Sequence, residues 1–137
     1  DEGRCATTLT PSWWATWLVN TCCSSVLPRS YGRSVDAGVG LPLLLGGGRD
    51  TKFNEHVRGS PLYCVTPDAA PTLIMHGTND NYVNYKQALW MAERLHAAQV
   101  EVELLTLPGA GHGLKGSDAE NAQATMMAFF ARHLKAP

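Results

Sequence analysis

The sequence is short of several things at once. No run of 18 apolar residues occurs in its 137, so no segment reads as a membrane span. Neither sign of charge is in excess: 11 Lys and Arg face 12 Asp and Glu, net −1 with histidine neutral. Nucleic-acid binding therefore has no electrostatic footing. The first residues, Asp1-Glu2-Gly3-Arg4, lack the basic start and apolar stretch of a secretory signal. Of the four cysteines, at 5, 22, 23 and 64, none makes a C-x-x-C pair. That excludes a disulfide framework, and the expectation is free thiols in a cytoplasmic protein. What remains, 45% hydrophobic and 17% charged with 13 Gly and 8 Pro, is ordinary globular composition. The length suits one domain that buries a core without staples.

Acids are also missing locally. Residues 3–35 hold no Asp, Glu or Lys, but ten Ser or Thr, three of the four Cys, and Trp13, Trp14 and Trp17. Residues 1–37 thus read as an atypical leader, and 38–137 as the conventional part. The leader has three readings: an apolar helix over 11–26 with Pro11 near its first turn, a partner-binding segment built on the Trp cluster, or a stretch of out-of-frame origin. The last is preferred.

The conventional part has clear punctuation. Residues 38–48 read as a Gly/Leu loop and 52–58 as a short helix, followed by turns at Ser60-Pro61-Leu62 and at 67–71. Residues 72–76 form a short apolar run before Gly77, as in a buried parallel strand. Residues 85–98 read as a helix with Tyr85, Ala88, Leu89, Ala92 and Leu95 on one face. Residues 100–107 read as a second strand. Ser117-Asp118-Ala119-Glu120 has the capping-box pattern of a helix running to about Leu134, with Ala122, Met126, Phe129 and His133 inward. Strand, helix, strand, helix is an α/β unit with parallel strands.

Two polar loops follow the two strands: His76-Gly77-Thr78-Asn79-Asp80 and Gly109-Ala110-Gly111-His112-Gly113. Parallel sheets place ligand sites beyond the carboxyl ends of their strands, so Asp80 and His112 should meet. A carboxylate that orients an imidazole is the proton-moving part of a hydrolytic triad. The bland alternative is a vestigial pair that only hydrogen-bonds to itself. For His76 it is a satisfied structural histidine. His56, His96 and His133 belong to helix surfaces or seams, and Asp68 and Glu101 lie at the wrong ends of the strands.

These segments resemble the α/β-hydrolase family, most closely its prolyl-oligopeptidase-like and acyl-esterase branch. Pro71 to Asp80 resembles the segment bearing that family's triad Asp, and Leu107 to Gly113 the segment bearing its His. Ser60-Pro61-Leu62 and Leu44-Leu45-Gly46-Gly47 resemble the lead-in, so the likeness runs from about 38 to 135. It implies a truncated α/β-hydrolase half-fold with a small parallel sheet flanked by helices; because two strands with an open edge are too few to stand alone, dimerisation is expected to complete it. In such enzymes a nucleophilic Ser precedes the Asp, in a G-x-S-x-G elbow. No G-x-S-x-G occurs here; its nearest echo is Gly3-Arg4-Cys5-Ala6-Thr7.

Three functions follow. The preferred one is an ester hydrolase, acting on carboxylic or phosphate esters including activated phosphotriesters. It lacks the usual Ser and uses a water activated by a divalent metal ion such as zinc, with Asp80, His112 and His76 as ligands. The second is a conventional acyl hydrolase whose nucleophile comes from the leader or another chain. The third is a non-catalytic, partner-binding fragment. The expected partners are a small-molecule ester and a second copy of the chain, with no nucleic acid and no membrane.

Overall fold

The computed structural model describes residues 42–134. The expectations for residues 1–37 (the 11–26 helix, the Trp cluster, Cys5, Cys22 and Cys23) lie outside them. The chain divides into two compact units, one ending at Thr66 and the other beginning at Pro67.

In the first unit, residues 42–45 are helical, where glycine content had suggested only loop. Leucines are good helix formers, and the N–H of Gly47 returns to the carbonyl of Pro42 at 2.8 Å. Helix α1 covers Phe53–Arg58 and ends at Gly59. His56 does not face solvent: it is buried, and its Nε2 lies 3.0 Å from the carbonyl oxygen of Gly47. A single 3-10 turn follows at Pro61–Tyr63. Cys64, just beyond it, is disulfide-bonded, which corrects the expectation of four free thiols. Pairing depends on two Cα atoms meeting in space, and sequence spacing does not report that.

The second unit has strand β1, Thr72–Gly77, helix α2, Lys86–Ala97, strand β2, Val102–Leu107, and helix α3, Ser117–His133. Among the described residues the sheet is two-stranded. Its strands are parallel and paired in register from Thr72↔Val102 to Gly77↔Leu107. Consecutive strand residues face opposite ways, and Leu73 and Ile74 are both buried, so β1 is covered on both faces. Helix α2 packs on both strands and α3 on β1. A core patch of Leu107, Ala110 and Ala122 is backed by Met75, Leu105 and Leu114; Ala110 and Leu114 belong to the loop that follows β2.

Three local expectations need correction. Val100 is buried, but β2 begins two residues later. The buried face of α2 is Gln87, Ala88, Met91 and Leu95, while Leu89 is exposed. The capping box does not form. Gly116, at φ 56°, is the N-cap of α3 and Ser117 is already inside the helix, with no side-chain cap. A backbone that enters the helix through a left-handed residue favours glycine there, and this displaces the serine by one position. No helix among the described residues is long and apolar enough to cross a membrane.

Candidate active site

Both expected loops leave the carboxyl ends of paired strands, and they are laced together. The N–H of Thr78 continues the ladder to the carbonyl of Leu107 at 3.0 Å, and the N–H of Asn79 bonds the carbonyl of Ala110 at 3.0 Å. In return, Thr78 Oγ1 accepts the N–H of Gly109 at 2.8 Å. Gly77 makes the approach possible, since a Cβ there would stand 2.2 Å from the carbonyl oxygen of Ala110.

This lacing delivers Asp80 to His112. His112 Nδ1 lies 2.9 Å from Asp80 Oδ2 across 32 residues of sequence. The acid is sunk and the base is open: the Asp80 side chain is 4% exposed, that of His112 49%. The two carboxylate oxygens have separate tasks. Oδ1 accepts the backbone N–H groups of Tyr82 and Val83, each at 2.8 Å, which is the Asx turn that aspartate favours. Oδ2 accepts from His112. Burial pushes the Asp80 carboxyl up. The N–H of Val83, the His112 ring and the N–H of Tyr82 together outweigh it and hold the carboxyl below its ordinary value. A carboxylate at this position requires the proton of neutral His112 on Nδ1. That leaves Nε2 with a free lone pair on the open side of the ring.

His76 lies beneath the pair. Its side chain is 2% exposed, with Nε2 3.4 Å from Asp80 Oδ2 and 3.0 Å from the carbonyl oxygen of Val83. Its ring meets Tyr85 edge-on at 5.8 Å, and the Tyr85 hydroxyl bonds Thr106 Oγ1 at 2.6 Å. The ring of Tyr82, itself exposed, tilts against His112 with centroids 5.2 Å apart. The three residues singled out in the sequence thus come together. Thr78, Tyr82 and Val83 were not foreseen. The one available signal was the Asp80-x-Tyr82-Val83 spacing, which fits an aspartate turn.

As a cation site the three are unevenly arranged. A zinc ion needs each donor about 2.0–2.2 Å from one common point, whereas both imidazole nitrogens here address a single carboxylate oxygen at hydrogen-bonding or near hydrogen-bonding range. The donor group that closes within 4.8 Å among the described residues is Glu101, Glu103 and His133, at the opposite end of the sheet. There Glu103 pairs with Arg132, and Glu101 lies 3.4 Å from His133 Nε2.

Residues 46–137 match the sequence profile of the Prolyl oligopeptidase family. Esterase LipC of Mycobacterium tuberculosis is 46% identical over 55 residues, which are 39% of this chain and 14% of LipC. Among solved structures, a bifunctional GH43-CE protein of Bacteroides eggerthii superposes with a TM-score of 0.58 at 26% identity, over 66% of this chain and 12% of that one. Esterase 2 of Thermogutta terrifontis does so with a TM-score of 0.56 at 25% identity, over 77% of this chain and 35% of the esterase. The chain therefore spans well under half the length of the proteins it matches.

Proposed function

The chain belongs to the prolyl oligopeptidase family, and on that premise we propose that it carries the acid–base half of an ester hydrolase acting on carboxylic esters. The observation that carries the proposal is the 2.9 Å contact between His112 Nδ1 and the buried Asp80 carboxylate, with the other ring nitrogen left on the open side. Esterase function in LipC and in the Thermogutta enzyme supports the substrate class.

In this reading His112 Nε2 removes the proton of a Ser or Cys nucleophile as that group attacks the ester carbonyl. It then returns the proton to the departing alkoxide, and the alcohol leaves. The second half runs the same way with water, releasing the acid and the free nucleophile. Asp80 stays ionised throughout: it fixes the Nδ1–H tautomer and stabilises the imidazolium. The nucleophile comes from outside the described residues, from the rest of this chain or from another one.

A metal-held water at Asp80, His112 and His76 is the second reading, since two imidazoles and a carboxylate, all groups that can ligate zinc, stand beyond the strand ends. One experiment separates them. Hydrolysis of a p-nitrophenyl ester is measured for the unsubstituted protein, for His112→Ala, and after treatment with a chelator. The relay predicts a loss of about 100- to 10,000-fold in the variant, no effect of chelation, and labelling by a nucleophile-directed fluorophosphonate. Turnover lost to the chelator and restored by zinc supports the metal reading instead. Undiminished turnover in His112→Ala overturns both.

The expected dimer belongs to the same proposal. The two parallel strands found among the described residues are too few to stand alone, and a strand edge left unpaired among those residues invites pairing with a second copy. Light scattering at low micromolar concentration should give twice the chain mass; a folded monomer excludes the dimer.

A further inference from the structure

We infer that His76 is a positioning residue for the relay, acting through the Val83 carbonyl. The inference rests on the proposed Asp80–His112 relay and adds a third member to it.

A carbonyl oxygen only accepts, and His76 Nε2 lies 3.0 Å from that of Val83. Nε2 must therefore carry a hydrogen. Val83 is also the residue whose N–H holds Asp80 Oδ1 at 2.8 Å. Both polar groups of this peptide residue are thus engaged: its N–H grips the aspartate, and its C=O is gripped by the histidine. The same Nε2–H edge lies 3.4 Å from Asp80 Oδ2, on the oxygen that faces His112. The Asp80 turn is consequently held from two sides, and neither hold leaves the carboxylate free to rotate away from His112. His76 is nearly sealed from solvent, so water cannot replace its donor cheaply. The strand places it for this task. It is the last buried side chain of β1 before Gly77, so its position is fixed by the sheet and not by the loop it supports.

The claim is testable without turnover, because all five histidines lie among the described residues and their ring nitrogens report tautomers by 15N NMR. In the unsubstituted protein His76 should be the Nε2–H tautomer and His112, when neutral, the Nδ1–H tautomer. His76→Gln keeps an N–H at nearly the reach of Nε2; His76→Asn keeps an amide but falls short. In His76→Asn the ratio of Nδ1–H to Nε2–H at His112 should fall about two- to tenfold, the weight of one hydrogen bond, and His76→Gln should restore it. A merely structural histidine would not distinguish the two amides. A proton on Nδ1 of His76 overturns the inference alone, even if neither variant folds. Equal His112 tautomer ratios in the two variants overturn it as well. A His112 that carries its proton on Nε2 in the unsubstituted protein overturns the relay itself, and with it anything His76 positions.

Discussion

Gly77 and Ala110 are in backbone contact: a methyl group added at 77 would stand 2.2 Å from the carbonyl oxygen of Ala110. That oxygen cannot retreat without cost, because it already accepts the N–H of Asn79 at 3.0 Å. Gly77→Ala should therefore part the two loops and cost about 1–3 kcal/mol, as overpacking does. Gly113→Ala, where a Cβ meets nothing within 4 Å, should leave stability unchanged. Urea unfolding of the two variants checks the contrast.

Asp80 separates its duties by atom, so two substitutions should behave differently. Asp80→Asn keeps an oxygen for the N–H groups of Tyr82 and Val83 but offers His112 a donor where it had an acceptor. The imidazole should then carry its proton on Nε2, the wrong tautomer for a base. Ester turnover should be lost with little change in stability. Asp80→Ala leaves both backbone donors without the carboxylate and should cost about 1–3 kcal/mol more. Unfolding midpoints alongside activity assays separate the two effects.

The depressed Asp80 carboxyl also sets a sign for pH dependence. Its folded value lies below the ordinary 3.8, so the unfolded chain binds more protons than the folded one across that interval. The group's stabilising contribution is present above the unfolded value and is lost as pH falls through the folded one. The stability difference between the native sequence and Asp80→Ala should therefore shrink as pH falls below about 4. A difference that widens in acid would contradict the hydrogen-bonding seen here.

The disulfide at Cys64 predicts that this thiol resists alkylation in denaturant until a reductant is added. Peptide mass spectrometry with two successive alkylating reagents reads this residue by residue. Early labelling at Cys64 would contradict the bond.

Much of the site was legible because it depends on order rather than on packing. The apolar run at 72–76 and the strand ending at Leu107 each precede a glycine-containing loop. Parallel pairing then brings Asp80 and His112 together, whatever the details between. What periodicity could not supply was rotation about a helix axis. It assigned Leu89 to the core of α2, whereas Gln87 is the buried residue and Leu89 the exposed one. The amide of Gln87 has no hydrogen-bond partner among the described residues. Burying such a group is unfavourable, so no sequence rule would choose it. The Ser117 capping pattern failed for a similar reason: it records residue type, whereas the left-handed backbone at Gly116 decides where the helix begins. His76 was visible as a residue, but the carbonyl it holds was not, because backbone acceptors carry no sequence signal.

The bond from the Gly109 N–H to Thr78 Oγ1 joins positions 31 residues apart, with all of α2 between them. Helical turns form from near neighbours, but this contact requires closing a long loop, whose entropic cost is met only when the strands pair. A partly folded state that has α2 without the β1–β2 ladder contains no site at all. Assembly of the reactive pair is therefore tied to the cooperative folding transition. The Gly109 amide should exchange its hydrogen only as fast as that ladder opens.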